Sequence, residues 1–419
     1  MCFLAGAFVL ENAAAYLNLS SLSSSVPEEF EGWLDEDKYR KSQAYTKDKT
    51  KLGIVSGAVN LVALLGFILL GGFPWVDGLL RGLTLPDLAH GTLYIILLGM
   101  AYDLLNLPFE LYGTFVLEER YGFNRSTYAI FAMDKLKGYL LMLLLGVPVL
   151  AGILLFFRTY PEWGWVLAWG LLVLVSLVIQ YVAPTWILPL FNRFTPLQDG
   201  ELKRRIMDYA KRVNFDLADV QVMDGSRRST KSNAFFTGFG KRRRIALFDT
   251  LIDKHETEEL VAVLAHEVGH YKLGHILKNM ALSALKTGVM FYLLSLFLTF
   301  DPFFTAFGLG ESSVYAGIVL FGLFFLPVSM VLSLLFNGFS RRFEYQADRF
   351  ASRTTGRPDL LAAALKRLAT DNLANLTPHP FYVLLEYSHP PVLQRIRSLL
   401  PEEGVRDPEG GSAPAAKPG

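Results

Sequence analysis

The chain has 419 residues, 52% of them hydrophobic and 19% charged, with a formal net charge of +1 and a mean hydropathy of +0.32. That is more apolar surface than a soluble protein of this length can bury, so lipid is the expected solvent for much of it. The balanced charge argues against a nucleic-acid partner, which calls for a basic stripe on a soluble face, and Cys2, the only cysteine, excludes an internal disulfide or a thiolate metal centre.

Seven runs are long and apolar enough to predict membrane-spanning helices, each needing about 20 residues. The first, Met1 to Leu19, contains Glu11. It lacks the basic start of a signal peptide and is read as a short or truncated anchor. The others are Leu52 to Val76, Thr92 to Val116, Gly138 to Phe157, Trp163 to Phe191, Met280 to Phe300 and Val314 to Phe336. Two connecting stretches are basic. One holds Lys38, Arg40, Lys41, Lys47, Lys49 and Lys51; the other, from Arg193 to Lys278, holds Lys241 to Arg244. The turns near Asp77 and Glu162 and from Asp301 to Ser313 are poor in basic residues. Alternation of seven spans then puts both basic stretches, and the C-terminal segment, toward the cytoplasm.

This divides the chain into a membrane region of five spans (1–191), a soluble insertion (192–278), the last two spans (279–339), a second soluble segment (340–401) and a disordered tail (402–419) rich in Gly, Ala and Pro. The fold class expected is all-α with seven membrane helices, plus a small α+β insertion. Within the insertion Leu202 to Val213 has helical periodicity, Val220 to Met223 and Ile245 to Phe248 read as strands, and the proline-free stretch from Thr257 to Leu277 reads as a helix.

That last helix carries His266-Glu267-Val268-Gly269-His270, an H-E-x-x-H pattern. Histidines at i and i+4 lie on one helix face, so both imidazoles can reach one tetrahedral zinc ion, while Glu267 is placed to take the proton of an attacking water. A hydrolytic zinc site usually has three protein ligands and one open position. Glu344 and Asp348, i and i+4 just beyond the last span, supply a third ligand and a carboxylate to hold a zinc histidine by its other ring nitrogen. The plainer alternative is that Glu344 pairs with Arg341 or Arg342 at the membrane edge.

These motifs resemble those of the type I CAAX prenyl endopeptidases, integral-membrane zinc metallopeptidases of the gluzincin kind. The resemblance extends through Phe115 to Asn124, Pro189 to Pro196, Ser232 to Gly238, Phe248 to Leu251 and Ser388 to Pro391, so it covers roughly Glu28 to Leu400. It implies seven helices enclosing a water-filled chamber and one zinc ion per chain. It also implies that His389 and Arg395 stabilise the tetrahedral intermediate. Asn233, Ala234, Phe235, Phe236 and Gly238 would form an edge strand that holds an extended peptide by its main chain; on residues alone they are a plain hairpin.

The implied substrate is the C-terminal tripeptide of a prenylated CAAX protein or a related membrane-associated peptide, met in the endoplasmic reticulum or a bacterial or archaeal inner membrane. The HtpX-type quality-control proteases share the zinc motif but resemble the chain less, having fewer spans. A rival of another class is a transporter or scaffold with a structural zinc site and with Asp103 and Glu110 as its pathway. Those two carboxylates fall inside a span on one face with Asn106, where ionisable groups are expensive, and are expected to line the chamber wall. His275, about 140° round a continuous helix from His270, is expected to point away from the site. His90, His255 and His379 have no partner pattern.

Overall fold

The computed structural model describes residues 2–23, 25–237 and 244–400, and for 236, 237 and 244 the backbone alone. Gly238, Lys241 to Arg243 and the 402–419 tail, each part of an expectation above, lie outside the described residues.

Among the described residues, seven helical units are long and apolar enough to cross a membrane. They are α1 (Cys2–Ser20), α2 (Glu36–Leu69), and α4 (Asp87–Tyr112), which runs on through a π-helical stretch, Gly113–Glu118. Next come α5 (Tyr128–Leu141), joined by a second π stretch to α6 (Val147–Thr159), and α7 (Gly164–Val182), which leads through a third to α8 (Leu188–Phe191). The last two are α12 (His275–Phe297) and α14 (Val314–Thr355). The second span is shorter at its far end than expected: the chain turns at Leu70 and Gly71, where Gly71 has φ 71°, and restarts as α3 (Gly72–Arg81). Exposed Leu, Val and aromatic side chains are frequent on these helices, as an apolar surrounding requires.

The insertion folds as α9 (Glu201–Arg212) beside a four-stranded sheet of order β1-β2-β4-β3. Its strands are β1 (Phe194–Pro196), β2 (Asp219–Met223), β3 (Ala234–Thr237) and β4 (Arg244–Phe248). β2 and β4 are parallel and the outer pairs antiparallel, which leaves β3 bonded on one side only among the described residues. The short α10 (Asp249–Ile252) leads into α11 (Thr257–Lys272). Beyond the short α13 (Asp301–Ala306) and the long α14 lie α15 (Pro358–Asp371), α16 (Pro380–Glu386) and α17 (Val392–Leu399).

One hydrophobic core joins insertion and C-terminal segment: Ile206, Val220, Ile245 and Leu247 pack with Leu260, Leu264, Val268, Ala351, Leu361 and Ile396. α11 runs through its middle, buried from Glu259 to His266. Its start is a capping box in which the Glu256 side chain accepts a hydrogen bond from the helix and Glu259 answers. Arg367 holds Glu259 from α15 at 2.9 and 3.0 Å. A second core at the other end of the bundle gathers Phe73, Tyr94, Phe157, Phe297 and Leu320.

α11 does not continue to Leu277. It stops at Lys272, Gly274 adopts φ 69°, and the sixth span begins at once with His275.

Candidate metal centre and its surroundings

α11 and α14 carry the centre: they pack against each other, and His266 and His270 of one meet Glu344 of the other. The ligand-capable atoms of these three residues all lie within 4.8 Å of one another. Nε2 of His270 is 3.1 Å from Nε2 of His266 and 3.2 Å from Oε1 of Glu344; Nε2 of His266 is 3.5 Å from Oε2 of Glu344. Both imidazoles therefore turn the same nitrogen toward a common point. The donor set, two histidines and a carboxylate without thiolate, fits a metal of borderline hardness. It also leaves room for a fourth, exogenous ligand.

The opposite ring nitrogens are held too. Asp348, buried on α14, accepts from Nδ1 of His266 at 2.8 Å. It also takes two hydrogen bonds from Arg395 of α17, at 2.8 Å from Nε and 2.6 Å from Nη2. Arg395 Nη1 lies 3.3 Å from Glu344 Oε2, so this guanidinium faces the site's own carboxylates. Burial by itself pushes the His266 imidazole down, but hydrogen bonds to Asp348 and Glu344 outweigh it and hold the ring at about 9. Burial pushes the Glu267 carboxyl above its ordinary value, against the pull of the His266 and His270 rings. An elevated carboxyl suits a group that must accept and return a proton near neutrality.

His389 is exposed, with Nε2 3.4 Å from Glu344 Oε1. It lies in the wall of a cavity of about 900 Å³ bounded also by Glu11, Tyr45, Lys49, Lys231 and Glu386. The edge strand β3 packs beside α11. Its free edge begins next to Asn233, which is exposed and whose carbonyl accepts from the Phe248 amide at 3.1 Å. Phe235 is half-buried and meets Phe248 edge to face.

Asp103 and Glu110 are part-exposed and share one cationic partner. Both are bound by Lys135, each at 2.8 Å, and Tyr139 donates to Asp103, while Asn106 pairs with Asn60. They are absent from the lining of the large cavity; Asp103 borders a smaller one of about 560 Å³. A lysine from the next span supplies the compensating charge, a partner that a reading confined to one helix does not reveal. Likewise His275 turns toward the site, its Nδ1 3.1 Å from Nδ1 of His270. The 140° rotation assumed an unbroken helix, and the left-handed Gly274 resets it. His90 pairs with the buried Asp77 at 2.8 Å, and His379 caps α16.

Comparison with known proteins places this arrangement. The family described as CAAX prenyl protease N-terminal, five membrane helices, matches residues 15–193, and Peptidase family M48 matches residues 196–403. The CAAX prenyl protease 1 homolog of Oryza sativa subsp. japonica is 34% identical, the alignment covering 95% of this chain and 96% of that one. CAAX prenyl protease 1 of Saccharomyces cerevisiae is 33% identical over 94% and 92%. The crystal structure of S. mikatae Ste24p superposes with a TM-score of 0.90 at 33% identity, covering 95% of this chain and 97% of that one. These matches run through both the membrane helices and the metal centre, and they remove the transporter reading: the chain is an integral-membrane metalloendopeptidase and belongs to the CAAX prenyl protease 1 family of M48 peptidases.

Proposed function

We propose that the chain is a zinc endopeptidase that removes the C-terminal tripeptide of prenylated CAAX proteins or cleaves related membrane-associated peptides. Its catalytic segments would face the cytoplasm, in endoplasmic reticulum or a bacterial or archaeal inner membrane. The observation that carries the reading is the convergence of His266, His270 and Glu344, within electrostatic reach of Glu267. The names of the relatives support the substrate class, and the His, His, Glu donor set supports zinc. The basic residues of 38–51 support the orientation. The shared core supports a catalytic unit made of 192–278 and 340–401, set on the membrane region 1–191 and the spans of 279–339.

Zinc bound there supplies a Lewis acid that polarises the scissile carbonyl and eases deprotonation of the attacking water. Glu267 accepts that proton and returns it to the departing amine. His389, exposed in the cavity wall beside Glu344, donates to the developing oxyanion. Arg395 grips Asp348 and lies against Glu344, balancing their charge, and its remaining N–H groups steady the oxyanion together with His389. The free edge of β3, from Asn233 through Ala234, Phe235 and Phe236 toward Gly238, binds the peptide main chain.

Purified protein and its Glu267→Gln and Glu344→Ala variants test this on one peptide in farnesylated and unmodified form. Glu267→Gln should keep one zinc and lose about 10²–10⁴-fold in turnover; Glu344→Ala should lose zinc. Undiminished cleavage by Glu267→Gln removes its role, and equal turnover of the two peptides removes the prenyl requirement.

A further inference from the structure

The two histidines of the centre are supported by unlike partners. His266 gives its Nδ1 proton to a carboxylate, Asp348. His270 has no carboxylate behind it among the described residues; its Nδ1 is 3.1 Å from Nδ1 of His275. The His275 ring is 1% exposed, lies flat against Phe343 with centroids 4.4 Å apart, and reaches with Nε2 to Oε1 of Gln346 at 2.9 Å. Gln346 belongs to α14, two residues past Glu344, so the chain of contacts closes a loop from α11 through the start of α12 and back to the helix that bears the third ligand.

A neutral imidazole has one N–H and one bare nitrogen. The Gln346 carbonyl oxygen can only accept, so the proton of His275 must sit on Nε2 and its Nδ1 must be bare. A bare Nδ1 accepts only from Nδ1–H of His270, which leaves Nε2 of His270 without a proton and turned toward His266 and Glu344. With the amide reversed, each proton in the series would move to the other nitrogen and Nε2 of His270 would be blocked. We propose that Gln346 and His275 form a hydrogen-bonded relay that selects the metal-binding tautomer of His270. They are positioning residues, acting through His270 on the metal rather than touching substrate. This rests on the zinc-peptidase reading for its metal.

The test compares the wild type with Gln346→Leu, Gln346→Glu and His275→Phe, in the full-length detergent-solubilised protein. Zinc affinity is read by chelator competition and the ligand environment by the visible spectrum of the cobalt-substituted protein, with thermal unfolding of the metal-stripped forms as a control. Gln346→Leu and His275→Phe should weaken zinc binding about 10–100-fold and alter the cobalt spectrum. Gln346→Glu, which still accepts from Nε2–H, should stay within about threefold of wild type. Metal-stripped Gln346→Leu and Gln346→Glu should unfold at similar temperatures, so that a difference in zinc affinity belongs to the acceptor. Zinc binding unchanged in Gln346→Leu, or weakened equally in Gln346→Glu, overturns the relay while leaving the peptidase reading intact. A wild type that binds no zinc overturns both.

Discussion

A β-carbon placed on Gly269 would lie 3.2 Å from both the Cα and the carbonyl oxygen of Ala347. α11 and α14 touch here backbone to backbone, one residue before His270 and three after Glu344, so the glycine fixes how closely the ligands on the two helices approach. Gly269→Ala must push the helices apart by a few tenths of an ångström. We expect a loss of about 1–3 kcal/mol in unfolding stability together with weaker zinc binding, measured by denaturation and by chelator competition. Wild-type zinc affinity in that variant would show that the helix spacing has slack.

The His266 ring, held at about 9 in the metal-free protein, gives zinc uptake a proton dependence. Zinc needs the deprotonated nitrogen, and at pH 7 the free ring carries a proton, so binding must release it. Affinity should therefore rise with pH between 7 and about 9 and level off above. Calorimetry in buffers of different ionisation enthalpy reads the proton count directly. Uptake without proton release would mean that His266 is already neutral at pH 7.

Arg395 grips Asp348 with two prongs, a geometry that lysine cannot reproduce. Arg395→Lys should retain zinc and lose about 10–100-fold in kcat/KM. Arg395→Met takes from the buried Asp348 its two-pronged cationic partner, leaving only the His266 ring, and should destabilise the fold by about 3–5 kcal/mol. Melting curves and steady-state kinetics separate the two effects; equal behaviour of the Lys and Met variants would mean that the charge at this position does not matter.

At the other end of α14, Asp77 accepts from Tyr315 at 2.6 Å, His90 at 2.8 Å and Arg81 at 2.7 Å, tying α3 and α4 to the seventh span. Asp77→Ala strands three donors and should lower stability by about 2–3 kcal/mol. Glu344 lies roughly 40 Å farther along the helix at 1.5 Å per residue, so zinc content should not change. Zinc loss at temperatures where the variant remains folded would reveal coupling along α14.

The periodicity of apolar residues makes the seven spans legible without any tertiary information, because a lipid-facing helix must be apolar over its whole length. The pairing of His266 with His270 is equally local, since four residues of helix bring any two side chains onto one face. The β3 strand and the convergence of Glu344 with the histidines were legible through resemblance to known sequences; the residues by themselves also allowed a hairpin and a surface ion pair.

What the chain's order hides is everything decided by one left-handed residue or by a contact between distant elements. Gly274 redirects His275 from an outward position to the back of His270, and Gln346 meets it from 71 residues away. Lys135 answers Asp103 and Glu110 across a helix interface, and Arg395 turns its donors onto Asp348 only once α17 has packed on the common core. A sequence records the residue types and local period that form a helix or a ligand pair. Which buried polar group satisfies which other depends on packing in three dimensions, because each must find a partner once water is excluded.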